Sequence, residues 1–317
     1  LNPKMNMKNR KNQLVGLLCF IVGFLCIGDI VQAQVANKKE KELRLLVIGN
    51  SFSRNATLYL PQLAEEGRHK LVIQKAEISG ASLKRHWDAV EVAEADPEDP
   101  KGRPYSGKSL RMLLRESKWD IITMQQASTY SAYADSYHPY IDQLYRFIKE
   151  LQPNAEIVMH QTWAYRSDAK YFSRISEEKR AKSSQEMWEK SREAYHKMAD
   201  KFGLRIIPTG DAFWAVSSDP TWRFVPDDKY NFVNPVYPEL PNEKNSLNTG
   251  YAWTKNKKFK LDANHANTAG CYLGALTWYS FLFKESPVHL KFVPEGISQE
   301  FAKHLQHVAW QTVSGRH

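Results

Sequence analysis

Five short, nearly unbroken apolar runs punctuate this chain, at 43–48, 70–78, 119–124, 154–160 and 204–208. Helical patterning occupies 58–69, 83–95, 137–151, 184–202 and 269–283 between and after them. Runs of that length read as strands. Their continuous apolarity means both faces are covered, the condition of a parallel sheet with helices above and below. The alternation therefore predicts one α/β domain, with no internal repeat and no low-complexity linker to divide it.

The first 33 residues are set apart from that domain. Lys8, Arg10 and Lys11 precede an apolar stretch from Leu14 to Ile30, and Val31-Gln32-Ala33 supplies the small-residue exit of a signal-peptidase site. This predicts a signal peptide over 1–33 and an exported, periplasmic or cell-surface bacterial protein beginning at Gln34. An uncleaved membrane anchor is the competing reading; the polar run after Gln34 favours cleavage and no lasting membrane insertion. Cys19 and Cys26 leave with that segment, so Cys271 remains alone and no internal disulfide is expected. The net charge of +9 includes +3 from Lys4, Lys8, Arg10, Lys11 and Asp29. Elsewhere the basic residues are interleaved with acids, as in 177–190, which argues for a solvated face and against a nucleic-acid partner.

Two segments interrupt the alternation. Residues 91–108 are acidic, then rich in Pro and Gly, and read as a surface insertion. Residues 214–260 carry Trp222, Phe224, Tyr230, Phe232, Tyr237, Tyr251 and Trp253 among Pro and Asn. A long irregular segment inside a domain is commonly functional. Its rings, Trp253 among them, either line a sugar-binding cleft or simply pack the insertion down.

Chemistry is suggested at two places. The first strand ends in Gly49-Asn50-Ser51, so Ser51 lies at a strand's carboxyl end, where open α/β sheets bind ligands. A hydroxyl there needs a base to become a nucleophile, and a helix cap is the ordinary reading of such a serine. The base is offered by Asp262-Ala263-Asn264-His265, just ahead of an apolar helix: a carboxylate three residues before a histidine can hold its tautomer. His160 and Trp163 close the fourth strand and are candidate substrate contacts, His160 equally a structural histidine; His86 and Trp87 are weaker candidates. No cluster has metal-ligand spacing, and no glycine pattern cradles phosphate or a dinucleotide, so neither metal nor cofactor is expected.

Taken together, Gly49-Asn50-Ser51-Phe52 and Asp262-x-x-His265, followed by Asn267 and Gly270, resemble the first and last blocks of the SGNH hydrolase (GDSL-like esterase) superfamily, with Asn50 where many members have Asp. The resemblance implies a flavodoxin-like α/β/α sandwich and ester hydrolysis by a triad of Ser51, His265 and Asp262. It implies an oxyanion hole from the Ser51 and Gly80 N–H groups and a side-chain amide after the third strand. At that point the family's Gly-x-Asn-Asp is missing, and Gln125 or Gln126 is the expected donor. The α/β-hydrolase fold is disfavoured because its serine is centred in Gly-x-Ser-x-Gly, whereas position 53 is Ser. The expected substrate is a small-molecule or polysaccharide ester, above all an O-acetylated carbohydrate. The alternatives are a lipase or thioesterase of the same fold, or a non-catalytic glycan-binding protein on this scaffold.

Overall fold

The computed structural model describes residues 42–315; the predicted signal segment lies outside them. Five parallel strands form the central sheet in the order β2-β1-β3-β4-β5: β1 (Leu43–Gly49), β2 (Leu71–Glu77), β3 (Ile121–Met124), β4 (Glu156–His160) and β5 (Arg205–Ile207). In β1, Leu45 and Val47 face one side of the sheet while Leu46 and Ile48 face the other, as strand periodicity requires, and all four are buried. Each face has its own apolar cluster. The Leu46 side packs against α3 (Leu83–Ala95), α4 (Leu110–Arg115), α5 (Tyr140–Leu151) and much of α6 (Ser184–Phe202). The Leu45 side packs against α1 (Ser51–Ala56), α2 (Leu60–Glu66), α7 (Thr209–Ser218), α8 (Thr268–Phe283) and α9 (Gln299–Ser314). This is a flavodoxin-like α/β/α sandwich, and both clusters are complete between Leu43 and Ser314.

Helix starts follow side-chain caps. Ser82, Ser183, Asn267 and Ser298 each accept a hydrogen bond from the N–H three residues on. Helix α8 is buried around nearly its whole circumference because α1 and α2 pack on one side and α9 on another. Gly274 makes that approach possible, since a Cβ there would sit 2.8 Å from the Ala56 Cα. Among the described residues no helix is long and apolar enough to cross a membrane.

The two interruptions differ from what the sequence suggested, the first being shorter and the second more ordered. Helix α3 runs to Ala95, so the first begins only at Asp96, and Tyr105 buries its ring to hold that loop down. The second begins after α7 ends at Ser218 and contains a two-stranded antiparallel hairpin, β6 (Asn248–Trp253) and β7 (Phe259–Ala266), that apolar runs alone did not reveal. Helix α9 was likewise not anticipated.

Because β1 lies between β2 and β3, successive connections leave its carboxyl end in opposite directions. That crevice is the topological switch point at which such sheets bind ligands. Ser51 stands at it.

Candidate active site

Strand β1 delivers the chain to Asn50, which caps α1 by accepting the Phe52 N–H on Oδ1 at 2.9 Å. Ser51 is the first residue of α1 and is 5% exposed. Gly49 cannot carry a side chain without crowding Ser53 Oγ and Gln125 Oε1. The Ser51 hydroxyl meets His265 Nε2 at 2.9 Å, and His265 Nδ1 meets Asp262 Oδ2 at 2.9 Å.

Asp262 and His265 both belong to β7 rather than to the turn expected from sequence. In a regular strand, residues three apart point to opposite faces. Here Gly250 pairs with Asp262 but Asn248 pairs with Ala266, so three residues of β7 oppose one of β6. This bulge brings the imidazole and the carboxylate to the same side. Asp262 Oδ1 also accepts the His265 N–H at 3.0 Å, closing a tight side-chain turn. Trp163 Nε1 donates to the Asn264 carbonyl and the Arg166 N–H to that of Ala263, each at 2.9 Å, bracing the bulge from outside.

Electrostatics suits the pair. Partial burial raises the Asp262 pKa, but hydrogen bonds from the His265 ring and N–H and from Asn264 outweigh it, holding the carboxyl below its usual 3.8. It therefore stays ionised beside the imidazole at neutral pH.

Gln126 does not fill the role the sequence suggested. Gln126 Nε2 donates to the Ser136 carbonyl and hydroxyl, and Gln126 Oε1 accepts the Leu83 and Ala127 N–H groups. Every polar atom of that side chain is engaged in tying loops together, so it has no N–H to offer an oxyanion. Gln125 is hydrogen-bonded too: its Nε2 donates to Asn50 Oδ1 at 2.8 Å, which leaves it a second N–H, and its Oε1 meets His160 Nδ1 at 2.8 Å. Asn50 Nδ2 in turn donates to the Ala81 carbonyl at 2.9 Å.

The direction of this buried relay follows from its ends. The Phe52 N–H only donates and the Ala81 carbonyl only accepts, so the Asn50 amide has one possible orientation. That orientation requires Gln125 to donate to Asn50, and then His160 to donate from Nδ1. Burial lowers the His160 pKa to about 3, so the ring is neutral and carries its proton on Nδ1. His160 is thus a structural histidine at the end of a chain of amides, set edge-on to Trp278. It is not a substrate contact.

Trp163 is also corrected: it is fully buried, stacked between Phe52 and Phe213 at 4.4 Å each. Trp253 packs on Phe259 and donates to the Glu239 carbonyl, so its ring secures the insertion instead of lining the triad. His86, bonded to Tyr105, is buried on the far face. Gly80 occupies the expected loop after β2, exposed, with φ of +64° that favours glycine. The Asn50–Ala81 bond ties that loop to the nucleophile turn. Among the described residues, neither the Ser51 N–H nor the Gly80 N–H has an acceptor. Both N–H groups are therefore unengaged, as is the second N–H of Gln125 Nε2.

Sequence reasoning also passed over Arg166. Burial would lower its pKa, but two ion pairs, with Asp168 at 2.7 Å and Glu243 at 2.6 Å, raise it, and Phe224 covers its guanidinium. It pins the irregular segment to the loop that follows β4. Among the described residues no group of three or more His, Cys, Asp or Glu is placed to hold a metal.

A family model described as a domain of unknown function (DUF4886) matches residues 44–216, more than half of the chain. The crystal structure of a DUF4886 family protein from Bacteroides uniformis is 24% identical, with a TM-score of 0.66 over 86% of this chain and 95% of that one, and has the same fold. A GDSL-like lipase candidate from Parabacteroides merdae is 15% identical, with a TM-score of 0.43 over 75% of this chain and 94% of that one. A possible lipase from Chitinophaga pinensis is 14% identical, with a TM-score of 0.42 over 77% and 98%. No curated protein matches the chain.

Proposed function

The chain belongs to the DUF4886 family, and we propose that it is an exported serine ester hydrolase of the SGNH type, acting on O-acetyl groups of carbohydrate. The observation that carries this reading is the unbroken line from Ser51 Oγ through His265 to Asp262, two hydrogen bonds of 2.9 Å, at the switch point of the sheet. In this reading His265 Nε2 takes the Ser51 proton as Oγ attacks the ester carbonyl. Asp262 holds the Nδ1–H and stabilises the imidazolium that forms. The Ser51 and Gly80 N–H groups meet the oxyanion. His265 returns the proton to the departing alkoxide, and water then hydrolyses the acyl-enzyme. The second Nε2–H of Gln125 is the candidate third donor, and a hole lacking it would forgo about 3 kcal/mol of transition-state stabilisation.

The openness of the dyad supports a polymeric substrate. The side chains of His265 and Asp262 are 38% and 39% exposed, which suits an ester presented on a chain better than a small molecule enclosed in a pocket. The absence of Gly-x-Asn-Asp after β3 favours a second reading, a glycan-binding protein that has kept the scaffold without turnover.

Labelling with a fluorophosphonate, beside acetate release from acetylated xylan and 4-nitrophenyl acetate, separates the two. The esterase reading expects labelling and release by the wild type and neither by Ser51→Ala. Equal behaviour of the two proteins sinks it.

A further inference from the structure

Eleven large apolar residues are conspicuously exposed among the described residues, and six of them fall between Val225 and Leu240. Val233 is 86% exposed, Val236 61%, Leu240 52% and Tyr237 50%. Scattered exposed apolar residues are ordinary, but a concentration marks an interaction surface. The segment is not loosely attached. Tyr230 and Phe232 pack on Tyr251 and Phe259 of the hairpin, and Trp253 donates to the Glu239 carbonyl. The inner rings hold it down, and the outer aliphatic side chains are left uncovered.

Beside this tip lies the turn of the β6–β7 hairpin, with Lys255, Lys257 and Lys258 exposed and Lys260 just beyond. Lys257 Nζ stands 4.9 Å from the centre of the Tyr237 ring, so the two features adjoin in space. Among the described residues none of these four lysines has an ion pair; of the nearby acids Glu243 is consumed by Arg166, and Glu239 stands alone among the exposed apolar side chains. Uncovered aliphatic side chains next to unpaired lysines are complementary to a bilayer with anionic headgroups: the first enter the interfacial layer and the second meet its charge. A polysaccharide would use ring faces, and here most rings are turned inward.

We propose that Val233, Val236, Tyr237 and Leu240, together with Lys255, Lys257 and Lys258, dock this protein peripherally on an anionic lipid surface. Strand β7 leads from this turn to His265, a span of about 20 Å at the rise of a strand. Docking would thus hold the triad near that surface without burying it. The inference stands independently of whether Ser51 is a nucleophile.

The test uses the chain from Gln34 onward, which contains both apolar clusters and omits the apolar 14–30 stretch that would bind vesicles by itself. Co-sedimentation is measured with phosphatidylcholine vesicles, with and without phosphatidylglycerol. The wild type is expected to pellet with the anionic vesicles and to be released as salt is raised. At about fivefold for each lysine near the surface, a triple Lys255→Gln, Lys257→Gln, Lys258→Gln variant lowers partitioning by about 100-fold. A Val233→Ser, Val236→Ser, Leu240→Ser variant also weakens binding, with an unchanged circular dichroism spectrum. The proposal is overturned if the wild type pellets with neither vesicle, if either variant binds as the wild type does, or if an acidic polysaccharide retains the protein while vesicles do not. It is equally overturned if sedimentation velocity shows a dimer that the serine variant dissolves and vesicles leave intact.

Discussion

Replacing Gln125 by Leu removes the middle of the buried relay while nearly conserving volume. The His160 Nδ1–H then loses its acceptor, and Asn50 Oδ1 keeps only the Phe52 N–H. An orphaned buried donor costs about 1–3 kcal/mol. For a domain of this size that is a fall in Tm of roughly 2–4 °C per kcal/mol. His160→Phe, which keeps an aromatic edge against Trp278, orphans Gln125 Oε1 and is expected to cost a similar amount. The decisive measurement is the double variant. With both ends of the 2.8 Å bond replaced by apolar groups, the shared penalty is counted once. Urea midpoints followed by circular dichroism should then show the double losing less than the sum of the singles, by about 1–2 kcal/mol. Additivity within about 0.5 kcal/mol would mean the two side chains are not coupled, and the orientation derived for the relay would be wrong.

Two further outcomes follow from titratable groups. In Asp262→Asn the imidazole loses the carboxylate that orients it, and ester hydrolysis should fall by on the order of 10³–10⁴ with folding retained. Asp262 has a depressed folded-state pKa, so its contribution to stability is present above 3.8 and is lost as pH falls through the lower folded value. The urea midpoints of wild type and Asp262→Asn should therefore differ at pH 6 and converge toward pH 3; a gap that widens in acid would contradict this. Cys271 is buried, with its pKa pushed up to about 11, so a disulfide reagent at pH 8 should label it only after denaturant is added. Immediate labelling in the native state would show that α8 is not packed as described.

Much of the scaffold was legible because burial on both faces leaves a one-dimensional trace: the cores of β1, β3 and β4 are almost wholly apolar, at every second position and at the positions between. The nucleophile turn was legible for a similar reason, since Gly49, Asn50 and Ser51 each answer a local need for close approach, capping and a helix start. Asp262 and His265 were nameable from their spacing, yet the element bearing them was not. Strand β7 is half-buried along much of its length and interrupted by its bulge, so it has neither a continuous apolar run nor a clean alternation. Gln126 and Trp163 were placed near the right loops but given the wrong tasks, and His160 took the structural role that was its alternative reading. An amide or an imidazole looks the same in sequence whether it faces solvent or another amide 2.8 Å away.

The sequence by itself therefore determined the layered α/β architecture and the residue types able to form a Ser-His-Asp line, because backbone periodicity and local capping act over a few neighbouring residues. Only the tertiary structure decided that a bulge aligns Asp262 with His265, that Gln126 is spent on loop contacts, and that the lysine turn lies against Tyr237. Those outcomes depend on which atoms, up to some two hundred residues apart, compete for the same hydrogen bond or the same ring face, and no local pattern records that competition.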